Sequence, residues 1–216
     1  MLDDVPAPFS PLRRALAGLV GTLVGTLLVS GCTQDKAAAP EPEPSTDVGT
    51  PLADVSTQRL AVARQPFCDR LDDAAVERAL DGPVRRERAY VSGEKTRVTD
   101  EVTEVVHEHG CVFHGPAGAS VRAWVFAPPV TRGLAADLVA AARATKACRA
   151  DETAPAFGRP WVALRCRGSD GLSVSWRGLF GDAWLVCEVT ARGEDDDAVA
   201  DRASRWCAEV VRAAGS

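Results

Sequence analysis

The run Trp161-Val162-Ala163-Leu164-Arg165-Cys166, followed by Ser169-Asp170-Gly171, Leu172-Ser173-Val174-Ser175-Trp176 and Ala183-Trp184-Leu185-Val186-Cys187-Glu188-Val189, decides the fold. Aliphatic, β-branched and aromatic residues dominate each segment, and Ser-Asp-Gly is turn chemistry. The first two segments therefore read as a strand and its return, and the third as the most hydrophobic strand of the chain. Glu194 to Asp197 come next, where acidic side chains suit the positive end of a starting helix. In that helix Val199, Ala203, Trp206, Cys207, Val210 and Val211 recur at helical spacing and make an apolar face for the sheet.

Upstream, Thr131 caps a middle helix whose Leu134, Leu138, Ala141, Ala142 and Thr145 continue the helical period up to Cys148. Before it, Cys111-Val112-Phe113 and Ser120 to Phe126 form a hairpin around Gly115-Pro116-Ala117-Gly118, closed by Pro128-Pro129. Val84 to Val106 alternates polar and β-branched residues, as in one or two partly exposed strands. A short helix capped by Asp69 or Asp72 runs to Leu80, and Asp81-Gly82-Pro83 ends it. The expected class is α+β: an antiparallel sheet with helices packed on it, in one globular domain over residues 67–214.

The composition changes before residue 67. Ala37-Ala38-Ala39-Pro40-Glu41-Pro42-Glu43-Pro44 is a Pro/Glu segment, in which alternating prolines forbid helix and glutamates repel, so residues 32–66 read as a tether. Residues 1–31 have the form of an export signal: Arg13-Arg14 lead into an apolar run from Ala15 to Leu28, too short to span a bilayer comfortably. Leu28-Val29-Ser30-Gly31-Cys32 resembles the lipobox of bacterial lipoproteins. That resemblance implies that Cys32 carries diacylglycerol, becomes the first residue of the mature chain and holds the protein on the extracytoplasmic side of the cell membrane.

The chain has 216 residues and a formal charge of −5, which removal of Arg13, Arg14, Asp3 and Asp4 with the signal leaves unchanged. A mildly acidic domain offers no clustered basic face, so no nucleic-acid partner is expected. The basic residues are nearly all arginine, and alanine and valine are abundant, which resembles the coding bias of high-GC actinobacteria.

Of seven cysteines, six remain once Cys32 is assigned to lipid: Cys68, Cys111, Cys148, Cys166, Cys187 and Cys207. An even number without a Cys-x-x-Cys pair, in an exported domain, points to three structural disulfides, for which fifteen pairings exist. Proximity in the expected topology favours Cys68 with Cys111, tying the first helix to the sheet. It favours Cys148 with Cys166, tying the end of the middle helix to the next strand, and Cys187 with Cys207, pinning the last helix to the central strand. Each contributes roughly 2 to 4 kcal/mol, chiefly by restricting the unfolded chain.

Cys68-x-x-Leu71 opening a helix that ends Ala79-Leu80-Asp81-Gly82, a later Cys111 before a strand, a middle helix, and a strand pair before a final helix resemble a group of actinobacterial lipoproteins with a disulfide-bonded domain of unknown function. The chain departs from that pattern in having six domain cysteines where two are usual, and Arg159-Pro160 in place of a Gly-Asp step. The resemblance implies a fold and an address, and no activity.

The only chemically suggestive cluster is His107-Glu108-His109-Gly110-Cys111-Val112-Phe113-His114, which holds all three histidines of the chain. On a strand, His107 and His109 share a face and could offer two imidazoles to zinc or copper. Cys111 shares that face but is expected in a disulfide, and His114 points the other way unless Gly110 marks a bulge. Exposed histidines near a turn explain the cluster as well, so no metal and no other cofactor is expected. Ser120, Ser169, Ser173 and Ser175 occur without a Gly-x-Ser-x-Gly elbow, and no glycine-rich phosphate loop exists. Trp124, Trp161, Trp176, Trp184 and Trp206 either floor a ligand groove or fill the core, and their apolar periodicity favours the core.

The expected function is that of a membrane-anchored, non-enzymatic interaction or small-ligand-binding domain in the cell envelope. Its contact surface would be the strand edges and the Trp-lined side of the sheet, and its partner an envelope protein or a small ligand. The alternatives are a metal-binding protein using His107 and His109, and an envelope hydrolase.

Overall fold

The computed structural model describes residues 49–97 and 103–216. The signal segment, Cys32, the Pro/Glu tract, and Val98, Thr99 and Val102 lie outside the described residues. Described helices are α1 (Asp73–Leu80), α2 (Arg132–Arg143) and α3 (Asp196–Ala214). Described strands are β1 (Arg86–Tyr90), β2 (Lys95–Arg97), β3 (Thr103–Val105), β4 (Glu108–His114), β5 (Ser120–Phe126), β6 (Cys148–Ala150), β7 (Trp161–Gly168), β8 (Gly171–Phe180) and β9 (Ala183–Ala191).

Seven of these strands make one antiparallel sheet in the order β1-β4-β5-β9-β8-β7-β6, and β2 pairs with β3 as a separate ribbon. The α+β class is therefore as expected, with the run from Trp161 to Val189 supplying the middle strand and the two beside it toward one edge. Strand β9 takes the middle position and is buried along nearly its whole length, so both of its faces need cover. On one face α3 and α1 lie over Val121, Ala123, Leu185, Cys187 and Val189. On the other, α2 covers β6, β7 and β8, setting Leu138, Val139 and Ala142 against Val162, Leu164 and Trp184.

Local chemistry sets the helix ends. The Asp72 carboxylate accepts from the Ala75 N–H at 2.8 Å to cap α1, and Asp81 leaves the helix in a left-handed conformation at φ 53°. Thr131 caps α2 by accepting from the Leu134 N–H at 3.2 Å. Asp195 caps α3 by accepting from the N–H groups of Asp197 and Ala198, with Asp196 and Asp197 in the first turn where the dipole favours them.

Three expectations need correction. The tether does not run to residue 66: Leu52 is fully buried and its N–H donates to Ser204 on α3 at 3.0 Å. Thr57 donates to the Ala156 carbonyl at 2.8 Å, and Val62 bridges to Gly215. Apolar Leu52, Val55 and Val62 outweigh the nearby Pro/Glu composition once α3 offers them a surface. Second, α2 ends at Arg143, and Cys148 opens strand β6 instead of closing the helix. Third, Leu134 is 47 % exposed and Ala141 and Thr145 are exposed too, because the buried stripe of α2 runs through Ala135, Leu138, Val139 and Ala142.

The six cysteines form Cys68–Cys111, Cys148–Cys166 and Cys187–Cys207, with Cα separations of 6.0, 4.0 and 5.4 Å. Cys68 lies in the 3-10 turn ahead of α1, so its bridge anchors that turn to β4. Cys148 and Cys166 face each other across the β6–β7 pair, a strand-to-strand bridge at the edge of the sheet. Cys207 ties the middle of α3 to β9. Among the described residues no helix is long and apolar enough to cross a membrane.

Replacing Leu52 with Ala tests where the folded unit begins. It should lower the unfolding free energy by about 2 to 5 kcal/mol in chemical denaturation, the range for a cavity at a closed core site. A segment that merely tethered would leave the midpoint unmoved.

Candidate functional site

Two surfaces bring chemistry together. The first is a groove of about 810 Å³ between α1 and α3, closed at one end by the segment from Gly49 to Leu60. Its floor is apolar: Ala75 and Ala79 from α1, Trp206 and Val211 from α3, and Val55. Four arginines and four acids rim it, each arginine beside an acid. Arg78 is 3.9 Å from Asp72, Arg205 donates to Asp201 at 2.9 Å, and Arg212 donates to Glu209 at 2.9 Å. The Glu209 interaction holds the Arg212 pKa above its ordinary value, through the hydrogen bond first and the charge second. Arg202 differs. It pairs with Glu194 and lies 3.7 Å from Asp81, yet its Nε and Nη1 are buried without a hydrogen-bond partner among the described residues.

The second surface is the sheet face that carries α2. Cross-strand register aligns Val112, Arg122, Glu188, Ser175 and Leu164 in one row, and Gly110, Trp124, Val186, Arg177 and Val162 in the next. Antiparallel partners share a face, so Arg122 and Arg177 flank β9 on its outer side with Glu188 between their strands. The Arg122 guanidinium lies 5.0 Å from the centre of the Trp124 ring, and Arg88 lies 6.0 Å from that of Tyr90. Tyr90 donates to Glu108 at 2.8 Å over Gly110, where a Cβ would stand 2.6 Å from the phenol oxygen. Gly110 therefore makes room for a tyrosine and does not bulge the strand.

The electrostatics follow from that packing. Burial, then the hydrogen bond and charge of Glu108, push the Tyr90 pKa well above its ordinary value, against a smaller opposing effect of Arg122. Burial lowers the pKa of Arg177; Glu188 opposes that and Arg122 adds to it. His114 is lowered by burial and by Arg86 and Arg122, and His109 by burial.

Other residues singled out in the sequence fall elsewhere. His107 precedes β4. His109 lies on the α3 side, where its Nδ1 accepts from the Ser92 N–H at 3.3 Å, and His114 lies on the opposite face. Cys111 is disulfide-bonded, and no group of three or more His, Cys, Asp or Glu side chains suited to a metal occurs among the described residues. Ser120 sits directly across from His114, but no hydrogen bond joins them; Ser175 is 1 % exposed. Trp176, Trp184 and Trp206 are buried, while Trp124 and Trp161 are half-buried. Comparison with family models, with curated proteins and with solved structures finds no match.

Sequence reasoning missed the arginines of both surfaces. Arg122 and Arg177 did leave a trace, each being a charged residue inside an otherwise apolar strand. Arg202 and Arg205 look like any solvated helix face until α1 is laid beside them.

Tyr90 is the only tyrosine of the chain, so its titration can be followed directly. A phenol whose folded pKa is raised stabilises the fold fully below its unfolded value of about 10, and that stability fades as pH climbs toward the folded value. Absorbance at 295 nm should show no phenolate in the native protein through pH about 10, with ionisation near that value once urea unfolds it. Native titration at the unfolded value would remove the buried phenol–Glu108 pair.

Proposed function

We propose that this chain is a lipid-anchored protein of the cell envelope, held through Cys32 on the extracytoplasmic side, whose domain binds a small amphipathic ligand between α1 and α3 without transforming it. The groove carries this reading. Its volume lies within the range of ligand pockets, and its apolar floor is framed by charges that already satisfy one another, so burial of an apolar body is the main source of affinity. Arg202, whose buried Nε lacks a hydrogen-bond partner among the described residues and whose Nη1 has only Asp81 at 3.7 Å, supplies one point for an acceptor group and hence an orientation.

Several observations support the address. Three disulfides are the usual state of cysteines in an oxidising compartment. The lipobox-like Leu28 to Cys32 precedes a Pro/Glu tract suited to holding a domain off a surface. Two or more acyl chains on one cysteine anchor firmly, at about 0.8 kcal/mol per buried methylene.

The address is tested by mass spectrometry of the mature N-terminus. Expected is a chain starting at Cys32 with a diacylglyceryl mass; an unmodified Cys32 still joined to Leu28 would overturn it. The groove is tested by titrating the full chain with a fluorescent fatty acid and repeating with Ala75→Trp, which fills the cleft from a half-buried helical position. Saturable binding should weaken about tenfold or more in the variant, the loss expected when one good apolar contact surface is blocked. Equal binding by both proteins would exclude the groove.

A further inference from the structure

The groove leaves the other face of the sheet without a role, and that face holds an imbalance of charge. Arg122 on β5 and Arg177 on β8 stand either side of β9, half-buried, and neither makes an ion pair within 4.0 Å of its acid neighbour among the described residues. Both Nε atoms are buried without a hydrogen-bond partner, as is the hydroxyl of Ser175, itself 99 % buried by its 1 % exposure. Guanidinium groups stay charged at any ordinary pH, so Arg122 and Arg177 remain partly desolvated cations with Glu188 between their strands, while Arg122 also meets the Tyr90 hydroxyl that donates to Glu108. A chain of net charge −5 thus concentrates positive charge on one patch, with His114 and Arg86 at its margin. Buried donors left unmatched are costly, and an acceptor placed between them would remove that cost.

We propose that this patch is an oxyanion-binding site, taking the phosphate or carboxylate group of a small molecule between Arg122 and Arg177, with the Ser175 hydroxyl as a third donor. Two planar forks suit the geometry of such a group better than a lysine would. Trp124, stacked under Arg122, keeps that guanidinium from swinging into solvent and offers an aromatic surface for the rest of the ligand. Glu188 is the internal competitor: it lies across from both Arg122 and Ser175 in register and occupies part of the field the ligand would use. The site is independent of the α1–α3 groove, which is on the opposite face of the sheet.

Calorimetric titration of the full chain in detergent with inorganic phosphate and, separately, with citrate tests it. Saturable binding of at least one, weakened by added salt, is expected; tighter phosphate identifies a phosphate ligand and tighter citrate a carboxylate ligand. Arg177→Gln should weaken the interaction about tenfold or more, as loss of a charged hydrogen-bonding partner does. Glu188→Gln should strengthen it severalfold, because it removes the competing charge and keeps the shape. That second variant keeps the test decisive if the arginine variant fails to fold. No saturable binding of either anion, or weaker binding by Glu188→Gln, would overturn the proposal.

Discussion

The central strand β9 has to be dry on both sides, and the rest of the structure follows from how that is met. One face is closed by a nineteen-residue helix whose Val199, Ala203, Trp206, Val210 and Val211 join the core cluster, helped by α1 and by Leu52 and Phe67. The other face is closed only where α2 reaches it, over β6 to β8 and the first residues of β9. Farther along, the sheet supplies its own cover by laying the long side chains of Arg122, Arg177 and Glu188 across its surface. Val186 is buried under the α2 cluster with Ala135, Leu138 and Val139, while Arg122, Arg177 and Glu188 remain half-buried beside it. A polar patch on this face is thus a consequence of having one short helix where two would be needed.

The disulfides divide the same labour. Cys187–Cys207 joins the central strand β9 to the helix packed on it, and Cys68–Cys111 fixes the turn from which α1 departs. α1 has eight residues, and a helix of two turns is marginal alone. It holds its place through that bridge, through packing on α3, and through the Asp72 N–H, which donates to Glu209 at 2.9 Å. One wall of the groove therefore depends on a covalent link as well as on burial. Cys148–Cys166 instead secures a three-residue edge strand that could not persist on its ladder alone.

Much of this was legible in the chain because burial leaves a periodic mark. The runs from Trp161 to Val189 and the stripe Val199 to Val211 are strictly patterned, and both elements appear where the pattern puts them. The α2 stripe was misjudged by one position: Leu134 looks like a core residue by type, but Ala135 fits where α2 approaches the sheet, and a small side chain carries little hydrophobic signal. Residues 49–66 were misjudged by composition, since prolines and glutamates upstream disguise isolated apolar anchors such as Leu52. The groove was not legible at all, because it arises from the distance between α1 and α3, which no local pattern encodes. The outer patch was half legible: strand alternation places Arg122 and Arg177 on a face, but only register reveals that they share it across β9.

The two surfaces show how the same residue type serves two ends. Around the groove, arginine is mostly neutralised at short range along its own helix, as in Arg205 with Asp201 and Arg212 with Glu209, pairs that a helix offers at every turn. Such arginines frame an apolar floor without imposing a charge on what enters it. On the sheet the nearest carboxylate must come from a neighbouring strand at a position fixed by register, and β9 provides one, Glu188, for two guanidiniums. A strand has no i+4 partner to recruit, so an arginine in its middle is satisfied only by geometry across the sheet or by something bound from outside. The buried Nε atoms and the buried Ser175 hydroxyl mark the places where the sheet's own geometry falls short.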